Sequence, residues 1–128
     1  MTVVSLKGKS RIANVFRFGR RFSSPQATVI AMRGGENRIV GGVELMAVIR
    51  KKTARKSVVR NRIRRLVRES LRRIAAEYAD AGREFPARTI IVLWNFAPAH
   101  PALLRLDTVM AVLRPLLERA CKFHSKSA

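Results

Sequence analysis

The sequence predicts an α+β fold in which helices cover one face of a small sheet. Short runs of apolar and β-branched residues at 27–32, 39–49 and 89–96 have the length and composition of strands. Apolar residues recur with the period of a helix over 57–78 and again over 102–121. The order of helix, strands, long helix, strand and helix would leave the second sheet face available for a ligand.

The first predicted helix covers 10–18, with Ser10 as its N-cap and Gly19 as its end. A strand follows at 27–32, and the Gly-Gly-Glu-Asn segment at 34–37 is typical of a hairpin turn. The pair of glycines at 41–42 permits a bulge in the next strand, of which the part over 43–49 has the clearer pattern.

The predicted helix over 57–78 is followed by Gly82 and Pro86, which end it. The run at 89–96 indicates a buried strand, and this pattern favours a core position for Trp94 over an exposed stacking platform. Pro98 and Pro101 separate this strand from the last helix, in which Pro115 predicts a kink or a break.

The length and the net charge of the chain predict one basic domain. The chain has 128 residues, 48% of them hydrophobic, which predicts a single domain over 1–124 and a flexible tail over 125–128. Its 27 Lys and Arg against 8 Asp and Glu give a net charge of +19. Such a charge repels itself in the compact state, so a polyanionic partner is expected. Nucleic acid is the first candidate, and an anionic membrane surface is the second.

Several other classes are disfavoured by composition. The single cysteine, Cys121, cannot form an internal disulfide, and only His100 and His124 could join it at a metal. No apolar run approaches about 18 residues, so no membrane span is predicted. The acids are scattered, so the sequence predicts neither catalytic residues nor metal ligands in this chain. We expect a cytoplasmic protein.

The helix over 57–78 divides into two faces when residues are placed at about 100° intervals. The face predicted to be buried consists of Val59, Ile63, Leu66, Val67, Ser70 and Ile74. On the opposite side lie Asn61, Arg64, Arg65, Arg68 and Arg72. A solvated helix face normally carries acids among its bases, but Glu69 is the single acid among twelve basic residues in 50–73. The row therefore favours contact with phosphates, because guanidinium groups pair bidentately with them.

The spacing of this segment resembles the signature of the bacterial ribonuclease P protein component. The matching residues are Lys51, Lys52, Val58, Arg60, Asn61, Arg62, Ile63, Arg65, Arg68 and Glu69. Ile12, Val15, Phe16 and Gly19 are similar to the family's first helix, and 89–93 is similar to its later strand. Recognisable similarity covers roughly 6–96.

The resemblance implies a two-layer α–β sandwich with αβββαβα order, a mixed sheet and an unusual left-handed βαβ crossover. It also implies the protein subunit of an endonuclease that removes 5′ leaders from precursor tRNA, with catalysis on an RNA subunit and its Mg²⁺. The partners would be that catalytic RNA and precursor tRNA. The residues expected to face the catalytic RNA are Lys51, Lys52, Arg55, Lys56, Arg60, Asn61, Arg62, Arg64, Arg65, Arg68 and Arg72.

A second RNA surface, between the first helix and the open sheet face, would accept the single-stranded leader. The residues expected there are Arg11, Phe16, Arg17, Arg20 and Phe22, with Arg21 as a further cation. The two aromatic rings would stack on unpaired bases. For Phe16, packing in the core is an equal alternative.

Two other functions fit parts of the pattern. A structural ribosomal protein would share the charge and would co-sediment with ribosomal subunits. A membrane-active amphipathic helix at 60–73 would bind anionic vesicles, but its few large apolar residues would then be lost from the core.

Overall fold

The computed structural model of the protein describes residues 2–32, 42–83, 85, 87–96 and 104–126. Five strands and three helices occur in this part of the chain. They are β1 (Thr2–Ser5), α1 (Lys9–Phe18), β2 (Arg20–Ser23), β3 (Ala27–Met32), β4 (Gly42–Ile49), α2 (Ser57–Asp80), β5 (Thr89–Trp94) and α3 (Leu106–Lys126). The α+β class is confirmed.

The strands form one mixed sheet in the order β1-β4-β5-β3-β2. Strands β1, β4 and β5 are parallel neighbours, whereas β3 runs antiparallel to β5 and β2 antiparallel to β3. Because β4 and β5 are adjacent and parallel, α2 is the crossover between them. The predicted sandwich and its βαβ crossover are confirmed.

The two faces of the sheet are packed differently. Val29, Ile90 and Trp94 belong to the main core beneath α2 and α3. Their neighbours Ile30 and Ile91 point to the other face, where they pack with Val15 of α1 and with Leu6. The long helices therefore cover one face, while the short α1 lies on the other.

Trp94 is fully buried, as predicted, and its indole N–H donates to the backbone carbonyl of Phe96. The prediction that Ser10 caps the first helix is wrong. Helix α1 begins at Lys9 with Gly8 as its N-cap, so Ser10 lies inside the helix and does not cap it. Of the kink or break predicted at Pro115, the break does not occur, because α3 continues from Leu106 to Lys126. Both Ala111 and Pro115 are exposed, so water can satisfy the carbonyl that the proline leaves without a donor.

The sequence pattern did not predict two of the strands, β1 and β2. Strand β1 has four residues, too few to show a period, and β2 carries two arginines before its one buried residue. The turn at 34–37, the beginning of the strand at 39–41, Pro86, Pro98, Pro101 and the residues at 102–103 lie outside the described residues. The last helix reaches two residues into the segment predicted as a tail.

Candidate nucleic-acid interface

The inward face of α2 is apolar, as the helical period predicted. Ile63, Val67, Leu71 and Ile74 are each at most 1% exposed and belong to the main core. Ser70 is also buried there, and its hydroxyl donates to the carbonyl of Leu66 at 2.7 Å, so burial leaves no polar atom of this side chain unpaired. This packing sets the rotation of the helix and thereby decides which side chains face solvent.

The outward face of α2 carries the predicted row of one amide and four guanidinium groups. Asn61, Arg64, Arg65 and Arg72 are exposed, and Arg68 is half-buried. Arg64 donates to the Asn61 side-chain oxygen at 2.8 Å, which holds these two groups side by side. The structure gives Arg65 no hydrogen bond or ion pair with any other described residue, so its guanidinium is available to a partner.

Three arginines of this segment also hold the protein's own backbone. Arg68 donates to the Val3 carbonyl at 3.1 Å and to the Ser5 hydroxyl at 2.7 Å, which ties α2 to the edge strand β1. Arg60 donates at 2.8 Å to the carbonyls of two residues in the loop before the helix. Arg62 donates to the Leu104 carbonyl at 3.1 Å, and its Nε is buried without a hydrogen-bond partner. These three groups therefore have structural contacts besides any contact with RNA.

Glu69 is the acid that lies among the arginines of α2, and these arginines already bind its carboxylate. Its carboxylate accepts two hydrogen bonds from Arg72, at 2.7 and 3.0 Å, and one from Arg73 at 3.1 Å. The hydrogen bond from Arg72, followed by that from Arg73, lowers the pKa of Glu69 to about 2. Because the carboxylate offsets part of its charge, Arg72 is less available to a polyanion than Arg65.

The loop before α2 extends the cationic surface. Lys51, Lys52, Arg55 and Lys56 are all exposed, and the buried Ala54 anchors the loop between them. The amides of Thr53 and Ala54 donate to the carbonyl of Arg50 at 3.0 and 3.2 Å. No acidic residue occupies the first turn of α2, so the partial positive charge of its N-terminus adds to the four side chains.

The predicted leader residues on α1 lie beside the second sheet face. Phe16 is 37% exposed, which makes it a surface residue, and the Arg21 guanidinium lies 6.0 Å from the centre of its ring. Arg17 is exposed and lies 5.1 Å from the Phe18 ring. Arg20 is exposed at the beginning of β2, but it pairs with Ala31 of the main core, so it points to the face opposite α1 and not toward the expected leader surface.

Arg11 has an additional role that its charge alone did not reveal. It forms an ion pair with Glu44 of β4, whose side chain is almost fully covered. This contact fastens the beginning of α1 to the sheet, and it offsets charge that was expected to be available to the leader.

The structure corrects the expectation for Phe22, which is 7% exposed in the main core. It pairs with Val29 of β3, and the Arg119 guanidinium of α3 lies 5.6 Å from its ring. Phe22 therefore points to the face opposite α1 and cannot offer a stacking surface beside Phe16. At the end of α1, the ring of Phe18 is 67% exposed, and the sequence analysis did not single it out.

The described residues contain neither a cluster of metal ligands nor a helix suited to a membrane. No three His, Cys, Asp or Glu side chains in this part of the chain lie together as metal ligands would. None of its helices has the length and apolar composition needed to cross a membrane.

A packed α+β domain with a cationic helix face that its own acids leave largely unpaired has the geometry of a nucleic-acid-binding protein. Comparisons with known proteins identify the family. The model of the Ribonuclease P family matches residues 2–97, which extend from β1 to beyond β5. The chain therefore belongs to the ribonuclease P protein family, whose members bind RNA and take part in tRNA processing.

Solved structures show the same fold. The ribonuclease P protein of Thermotoga maritima superposes with a TM-score of 0.66 at 22% identity, covering 90% of this chain and 96% of the other. That of Staphylococcus aureus gives a TM-score of 0.64 at 19% identity, covering 91% and 94%. No match was found among curated proteins.

Proposed function

We propose that this chain is the protein subunit of a cytoplasmic ribonuclease P, in which it binds the catalytic RNA and the 5′ leader of precursor tRNA. The observation that carries the proposal is the exposed face of α2, where Asn61, Arg64 and Arg65 project from a helix whose other face is locked in the core. A rigid row of this kind can follow the phosphates of a folded RNA without reorganising.

We assign binding of the catalytic RNA to α2 and the loop before it. The four exposed cations at 51–56 continue the row of α2 onto the surface at its N-terminus. Charge on one continuous surface releases several counterions together when it meets phosphates, which favours a large structured RNA. The leader is assigned to the surface of α1, where Phe16 offers a ring and Arg17 and Arg21 offer charge beside the sheet.

Cleavage itself is assigned to the catalytic RNA and its bound Mg²⁺. Three of the protein's carboxylates are engaged by arginines, namely Glu44 by Arg11, Glu69 by Arg72 and Arg73, and Glu77 by Arg114. Carboxylates paired with guanidinium groups in this way are less available to a metal ion or a substrate. The contribution of the chain would be to hold the leader and to offset phosphate repulsion, and both effects matter most when Mg²⁺ is scarce.

The test compares two arginines in the reconstituted holoenzyme. Arg65→Ala should weaken assembly with the catalytic RNA about tenfold, because it removes a charged donor that has no partner within the described protein. Arg119→Ala is the matched control, since it removes the same charge from α3, on the other long helix. Both variants are titrated against the RNA, and precursor-tRNA cleavage is followed at low Mg²⁺. Equal losses in the two variants would contradict the assignment of α2 to the RNA.

The same reconstitution distinguishes this function from that of a structural ribosomal protein. Addition of the unaltered chain should restore cleavage at low Mg²⁺, whereas a ribosomal protein would leave tRNA processing unchanged.

A further inference from the structure

One edge of the sheet is left open where β1 ends. The last described backbone hydrogen bond on this side joins the Leu6 amide to the Leu45 carbonyl at 2.9 Å, while β4 continues to Ile49. In a parallel pair, alternate residues present both backbone groups to the same neighbour. Since Leu45 faces β1, Ala47 faces the same side, beyond the end of that strand.

A pocket of about 320 Å³ lies at this point, and we call it the edge pocket. Its apolar lining comes from Leu6, Leu45 and Met46, and Ala47 contributes the open strand edge. The volume is about twice that of a protein cavity of roughly 150 Å³ that holds benzene. A nucleobase-sized ring therefore has room here.

The polar side of the edge pocket is formed by Ser5, Arg64 and Arg68. Arg68 is held by its bonds to the Val3 carbonyl and the Ser5 hydroxyl, and Arg64 is held by its bond to Asn61. A guanidinium has five N–H donors, so each retains several for an incoming anion. Two oriented cations thus stand beside an apolar lining and an unpaired peptide edge.

We propose that the edge pocket receives one unstacked nucleotide of the RNA that α2 binds, so this inference rests on the proposed function. The base would lie against Leu6 and Met46 with its polar edge toward the backbone of Ala47, and its phosphate would meet Arg64 and Arg68. The apolar lining favours a nucleotide over a bare phosphate. The two guanidiniums favour a nucleotide over an added peptide strand.

The experiment is an NMR titration of the full chain with adenosine 5′-monophosphate, inorganic phosphate and adenosine, in separate arms at physiological salt. The monophosphate should shift the amides of Leu6, Met46 and Ala47, and it should bind about tenfold or more tightly than phosphate. If the monophosphate and phosphate bind equally, or if shifts are confined to α2, the pocket attracts anions in general and the proposal fails. Shifts at Ala47 that depend on protein concentration alone would show strand pairing between copies, which would also overturn it.

Neighbouring arginines of α2 supply the matched variants. Arg64→Gln should weaken binding of the monophosphate about tenfold, whereas Arg65→Gln should leave it unchanged, because Arg65 does not line the edge pocket. Equal weakening by both variants would show long-range attraction by the helix. The outcomes distinguish the two proposals. If Arg65→Ala loses RNA assembly and the unaltered chain binds no nucleotide, the proposed function stands and only the pocket proposal is overturned.

Discussion

The arginines of α2 share a residue type but not a role. Arg65 is unengaged by the described residues, Arg68 bonds to the backbone of β1, and Arg72 is paired with Glu69. A charge count treats these side chains as equal, whereas their contacts predict unequal effects when they are replaced. The strongest effect on RNA binding is expected at Arg65, and the strongest effect on folding is expected at Arg68.

The first prediction at this scale concerns Glu69. Arg72 and Arg73 hold its pKa at about 2, below the ordinary value of 4.5, so the ionised form stabilises the folded state. This contribution is fully present above about pH 4.5 and is lost as the pH falls toward 2. Because the carboxylate is partly exposed to solvent, its contribution to the free energy of unfolding should stay below about 1 kcal/mol.

The measurement compares the urea midpoint of the unaltered chain with that of Glu69→Gln at pH 6 and pH 2.5. The unaltered chain should be the more stable at pH 6, and the difference should shrink at pH 2.5. Replacing Arg72 and Arg73 by Ala should return the carboxyl pKa, followed by NMR, toward 4.5. A pKa near 2 in that double variant would contradict the assigned cause.

At the scale of elements, the position of α1 depends on how it ends. Gly19 adopts an extended conformation, so its backbone does not require glycine. The requirement for glycine is steric instead. A Cβ at Gly19 would lie 2.5 Å from the Val15 carbonyl oxygen and 2.6 Å from Ile30 Cγ2. A side chain at this turn from α1 into β2 would therefore force its neighbours to shift.

The second prediction is that Gly19→Ala destabilises the fold by about 1–3 kcal/mol, because a buried contact must open to admit the methyl group. The measurement is chemical denaturation. Gly82→Asn is the control, because Gly82 has a φ of +69° with open space around it, and asparagine tolerates that conformation. A loss at Gly19 no larger than that at Gly82 would contradict the steric explanation.

At the scale of the whole molecule, the net charge of +19 acts on folding and binding in opposite directions. Salt screens repulsion between like charges within the free protein, and it also weakens the attraction between the protein and RNA. The third prediction follows from this opposition.

Between 0.05 and 0.5 M NaCl, the melting temperature of the free chain should rise by about 4 °C, which corresponds to roughly 1 kcal/mol for a domain of this size. Over the same range, RNA affinity should fall steeply. Circular dichroism and filter binding provide the two measurements. A melting temperature that falls with salt would show that ion pairs within the protein outweigh its self-repulsion.

The fourth prediction tests the leader surface in the complete holoenzyme. With the catalytic RNA present, affinity for precursor tRNA should rise as the leader lengthens over several nucleotides, because each base can add a stacking or phosphate contact. Phe16→Ala should remove part of this dependence, about 1–3 kcal/mol, while leaving the affinity for leaderless tRNA unchanged. Leaderless tRNA bound as tightly as precursor would contradict the leader assignment.

The features that could be predicted from sequence are local ones. Ile63 and Arg64 differ by one step of about 100° on a helix, so a sequence pattern suffices to place one in the core and the other in solvent. The basic charge and the family motif are likewise properties of the chain itself. The α+β class followed from such periods, and the structure confirmed it.

Other features depend on residues far apart in the chain. Phe22 was expected at the leader surface, but its pairing with Val29 turns it to the α3 side of the sheet. Arg68 meets Ser5, 63 positions away, only because β1 lies at the edge of the sheet beside α2. Strand order and register decide such contacts, and a one-residue change of register reverses every side chain. The sequence by itself therefore determined which helix carries the charge, and the tertiary structure decided which arginines and aromatic rings remain available to bind RNA.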